Sequence, residues 1–149
     1  MRLLVTTILM CAGLWAAEPV LGTWKLNLEK SRYVPGPLPR SSIRVYEAHP
    51  DGITVTIKTV DGEGRKTSVE HPVNYDGKEH PLSGPSQANA IVLVKIDDYT
   101  SEATIKHANR ILGTNRRTVS ADGRTLTITY QGTDSRGGTV KNMAVYDKQ

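Results

Sequence analysis

The stretch Ile53-Thr54-Val55-Thr56-Ile57-Lys58-Thr59-Val60-Asp61-Gly62 decides the fold. Apolar residues at 53, 55 and 57 alternate with threonine, the pattern of a strand with one dry and one wet face, because successive side chains of a strand point to opposite sides. The run ends on an Asp-Gly pair, which readily takes the positive backbone angles that tight hairpins demand. The same pattern recurs in both directions. Asp51-Gly52, Asp76-Gly77 and Asp122-Gly123 divide the chain in the same way, and beside the run at 53–60 period-two runs stand at about 20–28, 41–48, 65–74, 88–97, 100–107, 110–120, 124–133 and 139–147, with a short extra candidate at 78–82. Nine or ten short strands joined by turns predict an all-β domain. The architecture expected is a single antiparallel up-and-down β-barrel of eight to ten strands, with a flattened β-sandwich as the alternative.

Local departures from this pattern carry their own expectations. Helix is scarce, at most a turn or two around Asn27 to Arg32. Ala90-Ile91-Val92-Leu93-Val94 is apolar on both parities and predicts a central strand or one whose outer face is covered. Val34-Pro35-Gly36-Pro37-Leu38-Pro39 holds three prolines, which lack amide donors, and predicts a stiff extended connector or a flap over a barrel mouth. Glu70-His71-Pro72-Val73 recurs as Glu79-His80-Pro81-Leu82 across Asp76-Gly77. Proline cannot donate to a ladder, so a sheet edge or a gap in the wall is expected here.

A length of 149 residues suits one domain that can bury a core without disulfides. Met1 to about Ala17 reads as a signal peptide: Arg2 is the positive n-region, Leu3 to Trp15 the apolar stretch and Ala16-Ala17 a small-residue exit. The run is shorter than the roughly 20 residues of a spanning helix, so the mature domain, 18–149, is expected to be exported, periplasmic or extracellular, without a transmembrane span. The lone cysteine, Cys11, falls inside the leader, in an Ile8-Leu9-Met10-Cys11 context loosely like a bacterial lipobox. Losing Arg2 lowers the formal net charge from +4 to +3, with acids and bases interspersed. That is an ordinary solvated surface and no nucleic-acid footprint.

Arg117 is the most informative single residue. Ile111, Gly113, Asn115, Arg117 and Val119 share one parity, so an inward strand face would bury a guanidinium, which needs an anionic or hydrogen-bonding partner. One reading makes Arg117 an anchor for the carboxylate or phosphate of an amphiphilic ligand, with Tyr130 and Tyr146 as further donors. The other has it cover Trp24 at the closed end of the barrel or pair with an internal acid. Candidate ligand-contact residues are therefore Arg117, Tyr130, Tyr146 and Trp24. A tight turn at Asp76-Gly77 would set 71 opposite 82 and 73 opposite 80, leaving His71 and His80 diagonal, roughly 7–8 Å apart. Two imidazoles do not make a metal site, and exposed edge histidines are expected. No Gly-x-Ser-x-Gly, phosphate-cradling glycine loop or His-Glu-x-x-His is present, so no enzyme and no cofactor are expected.

The run Gly22-Thr23-Trp24-Lys25-Leu26-Asn27 resembles the Gly-x-Trp first strand of lipocalins and fatty-acid-binding proteins, and the ending Val145-Tyr146-Asp147-Lys148-Gln149 is similar to the last strand of the latter. Most of the chain from Gly22 onward also resembles a group of small secreted bacterial proteins with a lipocalin-like look. The matching segments include Lys30-Ser31, Pro35-Gly36-Pro37, Tyr75-Asp76-Gly77-Lys78, Ile96-Asp97 and Ser120-Ala121-Asp122-Gly123-Arg124. The resemblance implies a lipocalin-like barrel, and in fatty-acid-binding proteins an Arg-x-Tyr near the end reaches inward to the ligand carboxylate. Here that position reads Ala144-Val145-Tyr146, and the helix pair that caps those barrels is replaced by the proline-rich stretch. The function expected is non-catalytic binding of a small amphiphilic or apolar molecule inside the barrel. The alternative is an envelope interaction module with a filled barrel.

Overall fold

The computed structural model describes residues 17–84 and 86–149, so all of the expected leader but Ala17, including Cys11, lies outside the described residues. Eleven strands are formed among them: β1 (Gly22–Leu26), β2 (Arg32–Val34), β3 (Ser41–His49), β4 (Gly52–Val60), β5 (Lys66–Asn74), β6 (Glu79–Pro81), β7 (Ala90–Lys95), β8 (Thr100–His107), β9 (Arg110–Val119), β10 (Thr125–Thr133) and β11 (Thr139–Lys148). No described residue is helical. Where a helical turn was expected, the Asn27 side chain accepts from the Lys30 amide at 3.1 Å and the Asn27 carbonyl accepts from Ser31 Oγ at 2.6 Å. These local bonds favour a turn, and β2 follows it.

The strands form one antiparallel sheet in the order β5-β4-β3-β1-β11-β10-β9-β8-β7-β6, with β2 added to β11. It curls into a nearly closed up-and-down barrel, in which the first and last strands lie side by side with Trp24 opposite Lys148 and Leu26 opposite Tyr146. The ladder is interrupted between β5 and β6, the two strands that carry the repeated His-Pro dipeptide. The hairpin expected across Asp76-Gly77 does not form. Gly77 donates instead to the Leu93 carbonyl at 3.2 Å, and His80 lies opposite Ile91 on β7 rather than beside residue 73.

Other turns also differ from a uniform Asp-Gly reading. Pro50-Asp51 form the two-residue loop between β3 and β4, with His49 paired to Gly52. Ala108 and Asn109, at φ 45° and 67°, make the two-residue turn between β8 and β9. A positive φ at both central residues matches the right-handed twist of the flanking strands. β7 is not central either: its one further neighbour is the three-residue β6, and Val94 is left 43% exposed on the outer face.

The core is concentrated at one end. Trp24, Leu126, Tyr146 and Ile53 are the largest fully buried side chains, and Val119, Leu93, Val73 and Ala103 pack among them. Trp24 Nε1 donates to the Val20 carbonyl at 2.7 Å, tying the segment before β1 across the base. Lys148 Nζ lies 5.0 Å from the centroid of the Trp24 ring and donates to the Leu21 carbonyl at 2.9 Å. Gly22 makes this approach possible: at φ +117° any Cβ would be strained and would meet Lys148 Cε at 3.2 Å. The base is closed by packed side chains, with a cleft of ≈ 720 Å³ on its outer side between the segment before β1, the β3–β4 turn and Tyr99, and a space of equal volume lies at the other end of the barrel.

Candidate ligand cavity

At the open end the barrel holds a cavity of ≈ 720 Å³. Ser42, Arg44 and Tyr146 form its floor, Ile57 and Thr59 one wall, Tyr33 and the loop Pro37-Leu38-Pro39 the facing side, and the β4–β5 turn from Asp61 to Arg65 the rim. The proline-rich stretch therefore lines the mouth as well as connecting strands. It is fastened to the opposite rim by Arg40 Nε, which donates to the Gly62 carbonyl at 3.1 Å. The volume falls in the range of small-molecule sites, roughly 300–1,000 Å³, and mixed apolar walls with a few convergent polar groups are the usual makeup of such sites.

Arg44 is the residue that gives the floor its character. Its Nε donates to the Tyr146 hydroxyl at 3.0 Å and its Nη1 to the Tyr46 hydroxyl at 3.5 Å, while Ser42 Oγ lies 3.5 Å from the same Tyr146 oxygen. Among the described residues no carboxylate pairs with it. Burial opposes its charge, yet Tyr146 and Tyr46 more than offset this and its pKa is raised. The guanidinium stays charged. Tyr46 shows the reciprocal effect: burial pushes the phenol up, but Arg44 and then Arg117 pull it below its ordinary value. Tyr33, at the mouth, is raised chiefly by burial.

The structure places the four expected contact residues in three different surroundings. Tyr146 is fully buried on β11 and faces the cavity. Arg117 is 9% exposed, as an inward strand face requires, but it lies towards the base, donating to the Tyr75 hydroxyl at 2.8 Å with its guanidinium carbon 4.9 Å from the centre of the Tyr46 ring. Neither structural role expected for it applies, since Lys148 covers Trp24 and no described acid pairs with Arg117. Ile111, of the same parity, is 60% exposed because a register shift near Lys106 turns Leu112 inward instead. Tyr130 lies over Gly113 and Gly132 and donates to the Leu112 carbonyl at 3.3 Å, and Trp24 is in the base, so neither lines the cavity.

No protein-family model matches the chain, and no curated protein matches it. Among solved structures it is similar to a Schistosoma mansoni fatty acid binding protein in complex with arachidonic acid, at a TM-score of 0.60 and 17% identity over 88% of this chain and 96% of that one. It is also similar to a zebrafish ileal bile acid-binding protein complexed with cholic acid, at a TM-score of 0.56 and 13% identity over 88% of this chain and 99% of that one. The barrel is built like a fatty-acid-binding protein.

The arginine and the tyrosine that meet at the cavity floor come from different strands. Tyr146 supplies a phenol from β11 and Arg44 a guanidinium from β3, which precedes β11 by eight strands in sequence but lies only two strands away in the sheet. The interruption between β5 and β6 borders a second cavity of ≈ 380 Å³, lined by His49, His71, His80, Pro72, Pro81 and Leu82 among others. His71, expected at an exposed edge, is buried on the inner face, and burial followed by the nearby Arg44 charge pushes its pKa down. His80 bonds to Asp76 at 2.9 Å and is unavailable to pair with it. No group of three metal-ligating side chains is assembled among the described residues.

Proposed function

We propose that the protein is a non-catalytic, exported binding protein that holds a small amphiphilic or apolar ligand inside its barrel. The observation that carries this reading is the ≈ 720 Å³ cavity floored by Arg44, Tyr146 and Ser42, whose charge has no described acid to satisfy it. A half-buried cation without a counter-ion is costly, and a ligand acid group seated on Arg44 and the Tyr146 hydroxyl would reduce that cost. The ligands held by the two similar structures, arachidonic acid and cholic acid, are both amphiphilic acids, which supports the same class. Export rests on the leader Met1 to about Ala17, and kinship with small secreted bacterial proteins on the sequence segments alone.

Native mass spectrometry of the chain incubated with a panel of saturated fatty acids, bile acids and long-chain alcohols tests the binding. A 1:1 adduct that is lost when the cavity is obstructed by Thr59→Trp is the expected result. Bare protein across the whole panel would overturn the reading. N-terminal sequencing of protein recovered outside the cytoplasm of a bacterial host is expected to begin near Glu18, and an intact Met1 would refute export.

A further inference from the structure

The cleft on the outer side of the base shares no lining residue with the inner cavity. Pro19, Pro50 and the rings of Tyr75 and Tyr99 line it, and its charged members are three carboxylates, Glu18, Asp51 and Asp98, against one ammonium, Lys95. Lys95 is already engaged: its Nζ lies 2.7 Å from Glu18 and 3.3 Å from Asp98, and 5.8 Å from the centre of the Tyr75 ring. Asp51 has no ion-pair partner among the described residues. Tyr99 is 44% exposed, and no described cation lies over its ring. The α-ammonium that cleavage before Glu18 would add still leaves carboxylates in excess. The turn holds Asp51 in place, because its carbonyl accepts from the Tyr75 amide at 3.1 Å and ties the β3–β4 loop to the end of β5. His49 lines the same cleft, and its Nε2 is the one buried side-chain nitrogen without a hydrogen-bond partner among the described residues, a condition that costs stability.

We propose that this cleft is a second binding site, for an organic cation: an ammonium or guanidinium group on a short apolar body. The Asp51 carboxylate supplies the counter-charge, the open face of Tyr99 attracts a cation through its ring quadrupole, and the prolines give the apolar body a dry wall. An anion would meet the carboxylates, and an uncharged molecule of the same shape would leave Asp51 unpaired. A ligand ammonium has three N–H donors, enough for Asp51 and, once the imidazole turns toward the cleft in its Nδ1–H tautomer, for His49 Nε2 as well. The site is opposite in sign to the Arg44 floor at the other end of the barrel, and it stands whatever the inner cavity holds.

Amide NMR titration of the isotopically labelled chain with phenethylamine tests this, with phenethyl alcohol as the uncharged control of nearly the same shape. The expected result is saturable shifts at Asp51, Gly52, Tyr75 and Tyr99 with the amine, and binding of the alcohol weaker by about fivefold, the size of one partly exposed ion pair. Asp51→Asn, which keeps a residue suited to the turn and removes the charge, is expected to weaken the amine by the same factor of about five. Thr59→Trp, which obstructs the inner cavity, is expected to leave amine binding unchanged. No saturable shift, equal binding of amine and alcohol, unchanged amine affinity in Asp51→Asn, or shifts confined to Ser42, Thr59 and Tyr146 would each overturn the proposal while leaving the inner-cavity reading to its own test. Should Asp51→Asn fail to fold, Tyr99→Leu keeps an apolar wall without the aromatic ring. It is expected to weaken the amine about threefold, and an unchanged affinity refutes the site.

Discussion

Replacing Arg44 with methionine separates binding from stability in a way that few substitutions in a barrel interior do. Methionine fills much of the same volume and carries no charge. The guanidinium makes one good bond, to the Tyr146 hydroxyl at 3.0 Å, and one marginal bond, to Tyr46 at 3.5 Å, with no described acid as partner. Hydrogen bonds that involve a charged group contribute about 1.5–3 kcal/mol, and Arg44, half-buried without a counter-ion, bears part of the several kcal/mol that full burial of an ion costs, so the two effects nearly cancel in the empty protein. Tyr146 keeps Ser42 Oγ within 3.5 Å after the change. The folding stability of Arg44→Met is therefore expected to lie within about 1.5 kcal/mol of wild type, on the more stable side if it moves. A ligand carboxylate loses its charge-assisted bonds outright, which at about 1.5–3 kcal/mol weakens dodecanoate roughly 10- to 150-fold. Calorimetric titration and scanning calorimetry on one preparation give both quantities. Unchanged dodecanoate affinity would refute the anchor, and a fall in melting temperature with loss of both dodecanoate and 1-dodecanol would show that Arg44 serves the fold instead.

Three further outcomes follow from the local geometry. Ala108→Gly removes a side chain from a residue at φ 45° in the β8–β9 turn and is expected to raise stability by about 1 kcal/mol, read from chemical denaturation midpoints. Gly113→Ala would place a Cβ 2.5 Å from the Gln131 carbonyl oxygen and 2.6 Å from the Tyr130 ring, an overlap with backbone that costs about 2–4 kcal/mol, and circular dichroism melts are expected to show it. His71 titrates below its ordinary value in the folded barrel because of burial and the Arg44 charge, whereas the unfolded chain takes up a proton near pH 6.5. Stability is thus flat above that pH and falls as pH drops from about 6.5 towards the lower folded pKa, by at most about 1.4 kcal/mol per pH unit, a slope that His71→Gln is expected to remove.

Much of the fold was legible because alternation in sequence and alternation in burial are the same physical fact in a strand with one dry face. The run at 53–60 corresponds to β4, Gly52–Val60, with Ile53 and Val55 buried, and the run at 110–120 to β9, Arg110–Val119. β2 was missed because three residues beside Pro35 are too short to show a period. β7 was placed wrongly for a different reason: a run that is apolar on both parities says that both faces tolerate apolar side chains, not that both are covered, and Val94 and Ile96 stand exposed.

The candidate site was less legible because its strand breaks that same rule. On β3 the inward residues are Ser42, Arg44 and Tyr46, while Ile43 is 37% exposed on the outside. Parity arguments assume the interior is dry, and where an interior must hold a polar headgroup the assumption inverts. Arg117, on a strand whose neighbours Gly113 and Val119 are buried, stood out for the same reason that Arg44 did not. A signal for Arg44 was nevertheless present in the turn. Any two-residue loop at 50–51 or 51–52 pairs even-numbered residues of β3 with odd-numbered residues of β4, so Arg44 and Tyr46 must share the face of Ile53, Val55 and Ile57; the observed partners are Ile57 for Arg44 and Val55 for Tyr46. Register carried across a tight turn from an unambiguous strand thus decides the inside of an ambiguous one. The same reasoning makes polar residues forced onto an aliphatic face the first place to look for a ligand in a barrel of this kind.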